Sequence, residues 1–258
     1  MNKNLPILII VLVLVAAVVG GIAMYRNQGP VTTANNSNTN AGKKSADDFK
    51  ALLDKAPPGA QPARSKGDPK AAVTIEEFAD FACPTCAGFH QVLKEIEKSY
   101  GQKVRIIFRH FPLTNAKGHE NAYNAARAAE AAGQQGRFWE MQNMLFTNQK
   151  TWQPMPEAEA RAAFEGYAKS IGIDVEKFKQ DMVGQLAGAQ VGDDMKRAAA
   201  IRVNSTPTVI VNGKSLSYTE ISNIQALRTL IEDELQKAQA PAAPANSNTA
   251  NSANQNAQ

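Results

Sequence analysis

The sequence predicts an α/β domain interrupted by an all-helical insert and preceded by an apolar segment of membrane-spanning length. Three observations predict it. The only two cysteines in 258 residues form Cys83-Pro84-Thr85-Cys86. They lie between a β-branched and aromatic run, Ala72–Phe78, and an amphipathic stripe, Phe89, Val92, Leu93, Ile96 and Tyr100, at helical spacing. A second strand-like run, Lys103–Phe111, is followed by helical patterns to about Ala200, after which strand signal returns at Ser205–Val211. Finally, Leu5–Met24 is an uninterrupted uncharged run of the ~20 residues that a membrane span needs.

In chain order, residues 1–26 are read as a membrane anchor or signal segment. Length favours an uncleaved anchor; Gly21-Ile22-Ala23 leaves a cleavage site open. Residues 27–66 are read as a flexible tether, Asn/Thr/Ser-rich at its start, with a short helix at 47–55 whose face is Phe49, Leu52 and Leu53. That face either packs back on the domain or makes a dimer contact, so monomer and homodimer both stay open. Gly67-Asp68-Pro69 is a turn into the first strand. Pro112 ends the second strand. The insert, 118–200, has an alanine-rich helix through Ala122, Ala125, Ala126, Ala129 and Ala132, an aromatic and Met-rich helix from Phe138 to Phe146, and further helical patterns over 155–171, 174–183 and 186–200. Its aromatic and Met cluster reads as core. The returning strand closes at Asn212-Gly213, a strong turn dipeptide, so Lys214–Ser217 can pair back as a hairpin. A last helix over 219–239 starts at a candidate N-cap, Thr219; residues 240–258 are Ala/Pro/Asn/Ser low-complexity tail.

The chemistry points to the cysteine pair. Cys83 falls at a helix N-terminus with Pro84 in the first turn, where the missing N–H does no harm. Free backbone N–H groups and the positive end of the helix dipole lower a thiol's pKa there. Cys86 lies one turn further in and is more enclosed. An exposed nucleophile beside a shielded resolving thiol is what thiol–disulfide exchange requires. Half a zinc site and a plain structural disulfide are the competing readings. His90 and His110 complete no usual zinc spacing, and a loop this short constrains little of the unfolded chain; both histidines read as structural or surface residues.

The order strand, Cys-x-x-Cys helix, strand, helical block, Thr-Pro strand, hairpin, helix resembles the thioredoxin fold with an inserted helical subdomain, as in the DsbA-like thiol–disulfide oxidoreductases. The resemblance covers about residues 67–237 and rests on separated stretches: Gly67-Asp68-Pro69, Val73–Phe78, Cys83-Pro84-Thr85-Cys86, Arg109-His110-Phe111-Pro112-Leu113, Gln135–Met141, Ser205-Thr206-Pro207-Thr208 and Val211-Asn212-Gly213. Cys-x-x-Cys alone is weak; with Thr206-Pro207 following a helical block, Pro207 lying 121 residues beyond Cys86, it is specific. The resemblance assigns residues 67–117 and 201–239 to the thioredoxin-like domain. It implies that Cys83 is the nucleophile and Cys86 the resolving thiol, together a redox-active disulfide. It implies that Pro207 follows a cis bond, with a trans proline starting a strand as the alternative. Pro84, Thr85, Thr206 and Pro207 would meet a substrate peptide. Glu77 stands where the family has a buried acid below the resolving cysteine; an ordinary solvated strand carboxylate is the alternative. The strongest oxidant of the family has His where this chain has Thr85, which predicts a weaker oxidant.

Apolar content of 43% and charge of 20% allow a real core, and a net charge of +4 without a basic helix face argues against nucleic-acid binding. The expected function is that of an exported protein disulfide oxidoreductase, most naturally oxidising; an isomerase or reductase using the same site, or a non-catalytic peptide-binding module, are the alternatives. No cofactor and no metal are expected. Expected partners are exported polypeptides with cysteines and, by resemblance, a membrane quinone-linked redox partner. The expected location is periplasmic or extracytoplasmic, anchored to the inner (cytoplasmic) membrane by the N-terminal helix.

Overall fold

The computed structural model describes residues 39–240, with side chains from Ala46 on. The expected anchor, residues 27–38 of the tether and the tail beyond Ala240 lie outside the described residues. Among those described, no helix is long and apolar enough to cross a membrane. The described residues from Ser45 on form one compact unit.

A five-stranded sheet of order β1-β3-β2-β4-β5 is at its centre. The strands are β1 (Arg64–Lys66), β2 (Val73–Ala79), β3 (Val104–His110), β4 (Thr208–Val211) and β5 (Lys214–Ser215). β2 and β3 run parallel, Ile75 opposite Ile106; the other pairings are antiparallel, with Ile75 also opposite Val211. β2 is therefore flanked on both sides, and six of its seven residues are buried. Such a strand reads as a nearly continuous apolar run, so the two glutamates inside it, Glu76 and Glu77, need compensation of some kind.

One face carries Val73, Ile75, Val104, Ile106, Val209 and Val211. Against it pack α2 (Pro84–Tyr100), through Phe89, Leu93 and Ile96, and α10 (Ile224–Gln239), through Leu227, Ile231 and Leu235. Phe78 and Ile210 face the other way. They meet Phe49, Leu52 and Leu53 of α1 (Thr39–Lys55) together with Ala198 and Ile201 at the end of α8 (Gln185–Ala200). The apolar side of α1 thus packs back on the domain.

The insert holds α3 (Ala122–Gln134), α4 (Phe138–Thr147), α5 (Gln149–Trp152), α6 (Glu157–Ser170), α7 (Val175–Val183) and α8. Small residues let α3 approach its neighbours closely: Ala122, Ala125, Ala126, Ala128, Ala129, Ala131 and Ala132 are all buried. The aromatic and Met cluster is core, with Trp152 edge-on to Phe164 at 5.3 Å. It is continuous with the residues before the active-site helix, Ala79, Phe81 and Ala82, and with both cysteines.

Three expectations change. Residues 56–66 are folded rather than tether. Gly59 sits at φ 77° against Arg109 and Asp194, where a Cβ would fall 2.6 Å from the guanidinium, and Arg64–Lys66 add an edge strand to β3. Arg64-Ser65-Lys66 has no apolar alternation. It is held instead by ion pairs, Arg64 with Glu130 and Lys66 with Glu97, and by Lys66 lying over Trp139 at 4.8 Å. The first helix starts at Thr39 rather than Asp47. The final helix is two, because Ser217 and Glu220 form a capping box for α9 (Tyr218–Ser222) and the Asn223 side chain caps α10 through Gln225 N and Ala226 N. Thr219 is therefore inside α9, not its cap.

Candidate active site

The active-site helix begins where its sequence says it should. Cys83 is the N-cap, with extended backbone (φ −78°, ψ 118°), and Pro84 occupies the first helical position. Both cysteines are thiols in this structure. Cys83 keeps 7% of its surface and Cys86 none. The Cys83 thiol lies 3.5 Å from the carbonyl oxygen of Thr206, to which it donates. The Thr206–Pro207 bond is cis. The tertiary fold thus brings the Thr-Pro turn onto the cysteine helix across 123 residues of chain.

The two thiols are pushed apart in acidity. Cys83 is brought down from an ordinary 9.0 to about 5, first by the Cys86 thiol donating to it, then by the Thr206 side chain and the backbone N–H groups of Cys86 and Thr85, all against burial. The Thr206 hydroxyl is buried and has no other partner, so it is free to turn its proton to a thiolate. Cys86 is pushed well above 9.0, first by burial, then by its hydrogen bond to Cys83 and by the charges of Glu77 and Cys83. The asymmetry runs as the helix position predicts, but the leading cause is the second thiol for Cys83 and burial for Cys86, ahead of the helix terminus.

Glu77 is buried on β2 between Phe108 of β3 and Val209 of β4, and its Oε1 has no hydrogen-bond partner. Burial, then the Cys83 charge, raises it from 4.5 to about 8. It is no solvated strand carboxylate. Glu76, pointing to the opposite face, is lowered: despite burial, Arg197 and Arg109 hold it ionised. Adjacent glutamates thus have opposite protonation preferences because alternate residues face opposite layers.

Pro84 and Thr85 are exposed, between two hollows that share Tyr218. One, about 460 Å³, is bounded by Arg202, Thr206, Pro207 and Leu216; the other, about 430 Å³, by Phe89, Val92 and Ile221. Neither cysteine lines these two hollows or two larger ones elsewhere; Thr85, between the cysteines, borders both of the first two. His90 and His110 are buried: His90 stacks on Phe146 and bonds Asn143, and His110 bonds Glu130. Among the described residues no group of three or more His, Cys, Asp or Glu could hold a metal ion.

Residues without an assigned role in the sequence organise the loop before Cys83. Asp80 accepts from Ala82 N at 2.7 Å, Leu113 N at 2.8 Å and His119 Nδ1 at 2.7 Å. Gln149 donates to the carbonyls of Phe81 and Cys83. The one local signal for Gln149 is its place among Leu145 and Trp152 on a buried helical stripe, where a polar side chain needs a partner.

Fold and site together define a thioredoxin-fold dithiol protein with a helical insert. The chain belongs to the thioredoxin family: the family model described as Thioredoxin matches residues 60–233. Its structure resembles those of DsbA-like oxidoreductases. BdbD from Bacillus subtilis (oxidised) superposes with a TM-score of 0.59 at 25% identity, covering 70% of this chain and 98% of that one. The α-DsbA1 of Wolbachia pipientis gives 0.58 at 20% identity, covering 69% and 93%. Among curated proteins, a Na(+)/H(+) antiporter NhaA 1 of Mycolicibacterium gilvum is 40% identical over 153 residues, 58% of this chain and 23% of that protein. The chain spans under a quarter of the length of such relatives.

Proposed function

We propose that this protein is a DsbA-like thiol–disulfide oxidoreductase acting on polypeptide thiols, and that it works as an oxidant outside the cytoplasm. The observation that carries the reading is the opposed acidity of Cys83 and Cys86 beside the Thr206-Pro207 turn. Of the two cysteines only Cys83 keeps any exposed surface, so attack falls on its sulfur, and a thiol with a pKa near 5 is a good leaving group when a second substrate thiolate resolves the mixed disulfide.

In the oxidising direction a substrate thiolate attacks Sγ of Cys83. A substrate–Cys83 disulfide forms and the Cys83–Cys86 bond breaks. Cys86 leaves as a thiolate in a buried place that disfavours charge, and the protonated Glu77 gives it a proton. A second substrate thiolate then attacks the substrate's own sulfur, and the Cys83 thiolate leaves. Two electrons pass from the substrate dithiol to the enzyme dithiol. A membrane quinone-linked partner that accepts them would regenerate the disulfide. The substrate backbone lies along Thr206-Pro207, with its side chains in the hollows either side of Pro84-Thr85. An N-terminal anchor at Leu5–Met24 would place this chemistry at the outer side of the inner membrane; the antiporter relatives, named for transport of ions, fit a membrane setting.

Trapping tests the reading. Cys86→Ala should accumulate mixed disulfides with reduced, unfolded polypeptides, and Cys83→Ala almost none. At mildly acidic pH iodoacetamide should modify Cys83 and spare Cys86. Equal alkylation of both thiols, or trapping by neither variant, would leave a peptide-binding module as the better description.

A further inference from the structure

The four residues that lead from β2 to the active-site helix, Asp80 to Cys83, are held by hydrogen bonds from two sides. Asp80 serves the N–H groups: its carbonyl accepts from Cys83 N at 3.1 Å and its carboxylate from Ala82 N. The carbonyls of Phe81 and Cys83 face the insert. Gln149 Nε2 lies 2.6 Å from Phe81 O and 2.9 Å from Cys83 O, and the side chain is buried. An amide nitrogen has two protons, one for each carbonyl; the flipped amide would set oxygen against two oxygens, so the network fixes its orientation. For Phe81 O this is the hydrogen bond found among the described residues; Cys83 O accepts also from Ala87 N at 3.1 Å.

We propose that Gln149 is a positioning residue for the redox reaction, by which the helical insert sets the orientation of the Cys83–Pro84 peptide and with it the acidity of the nucleophile. Pro84 has no N–H, so the Cys83 carbonyl is the sole hydrogen-bonding group of that peptide. Rotating this plane turns ψ of Cys83 and moves the thiol relative to the N–H groups of Thr85 and Cys86 and to the Thr206 turn. Gln149 is itself rigidly held. Trp152, three residues on, is fully buried and donates to Leu145 O at 2.8 Å, and Asn148 donates to Met144 O at 2.8 Å. The Phe81 ring packs 4.8 Å from Phe146 of the same insert. The insert thus grips the active-site loop by one ring and one amide.

The inference rests on the thiol–disulfide reading, and the test separates the two. Gln149→Met keeps volume and removes both donors; Gln149→Glu keeps shape and, when ionised, turns a charge towards the carbonyls. In the reduced full-length protein, thiolate absorbance against pH gives the acidity of Cys83, equilibration with glutathione gives the redox constant, and thermal melting gives stability. Both variants should show Cys83 roughly tenfold less acidic, with a redox constant up to about tenfold, or ~30 mV, less oxidising. If wild-type Cys83 titrates as an ordinary thiol, the functional reading itself fails. If wild type titrates low and the variants match it within about twofold while melting earlier, Gln149 supports the fold and positions nothing. Failure of both variants to fold would likewise assign Gln149 to stability and overturn the proposal.

Discussion

Glu77 and Cys83 tie the stability of the reduced protein to pH in opposite senses. The folded protein keeps the Glu77 proton up to about pH 8, whereas the unfolded carboxyl loses it above 4.5. Across that window the unfolded state binds fewer protons, so this residue lowers stability as pH rises, by at most ~1.4 kcal/mol per pH unit. Cys83 goes the other way: between about 5 and 9.0 the unfolded thiol holds a proton that the folded thiolate has released, so its contribution is full above 9.0 and lost as pH falls to about 5. From about 5 to 8 the two oppose each other. Reduced Glu77→Gln, in urea titrations over that range, should therefore gain stability with pH more steeply than wild type; parallel profiles would mean that Glu77 is already ionised. At Thr85, exposed beside Cys83, a histidine cation would stabilise the thiolate and so the reduced form. Thr85→His should raise the reduction potential by up to ~30 mV for each tenfold in the redox constant. A glutathione equilibrium that is unchanged or more reducing would refute the argument from the dipeptide.

At the scale of elements, α8 is clamped to the sheet by buried charge. Asp194 accepts from Arg109 Nη1 at 3.0 Å, Ala60 N at 2.8 Å and His110 N at 3.0 Å, while Glu76 accepts from Arg109 and Arg197. Replacing such a cluster wholesale with apolar residues need not cost stability, but removing one member leaves others buried and unpaired. Asp194→Ala should lose ~3–5 kcal/mol in urea unfolding. The exposed pair Lys50–Asp54 is the control: Asp54→Ala should change stability by no more than ~0.5 kcal/mol. Similar losses at both positions would mean that the buried cluster is not what fixes α8. Gln149 belongs to the same class of device, an insert side chain fastened to the loop before the cysteine helix.

For the whole molecule, the proposed anchor has consequences that the folded domain does not. Full-length protein should sediment with membranes and be open to protease added from outside the cytoplasmic membrane, and removal of residues 1–26 should release it. Recovery of the intact chain from the cytosol would defeat both the anchor and the oxidising role, since a reducing compartment would hold Cys83 and Cys86 as thiols.

Local pattern determined much of this protein. Runs of β-branched and aromatic residues placed β2, β3 and β4, and the 3.6 periodicity of apolar residues placed most helices, because both signals are written within a single element. Two cysteines three residues apart, with proline between them at a helix start, marked the proposed nucleophile; Thr206-Pro207 marked the surface opposite. The expected membrane segment is likewise a property of an uninterrupted local run. Tertiary structure decided what neutralises what. Arg64 finds Glu130 over 66 residues, Arg109 finds Asp194 over 85 and Gln149 finds Cys83 over 66. A lone polar residue in an apolar stripe says that it needs a partner and cannot say which. The edge strand Arg64–Lys66 has no apolar alternation to announce it, because partners on other elements hold it. The acidity of Glu77 was hidden for the same reason: burial and the Cys83 charge exist only once β2 lies between its neighbours beneath the cysteine helix.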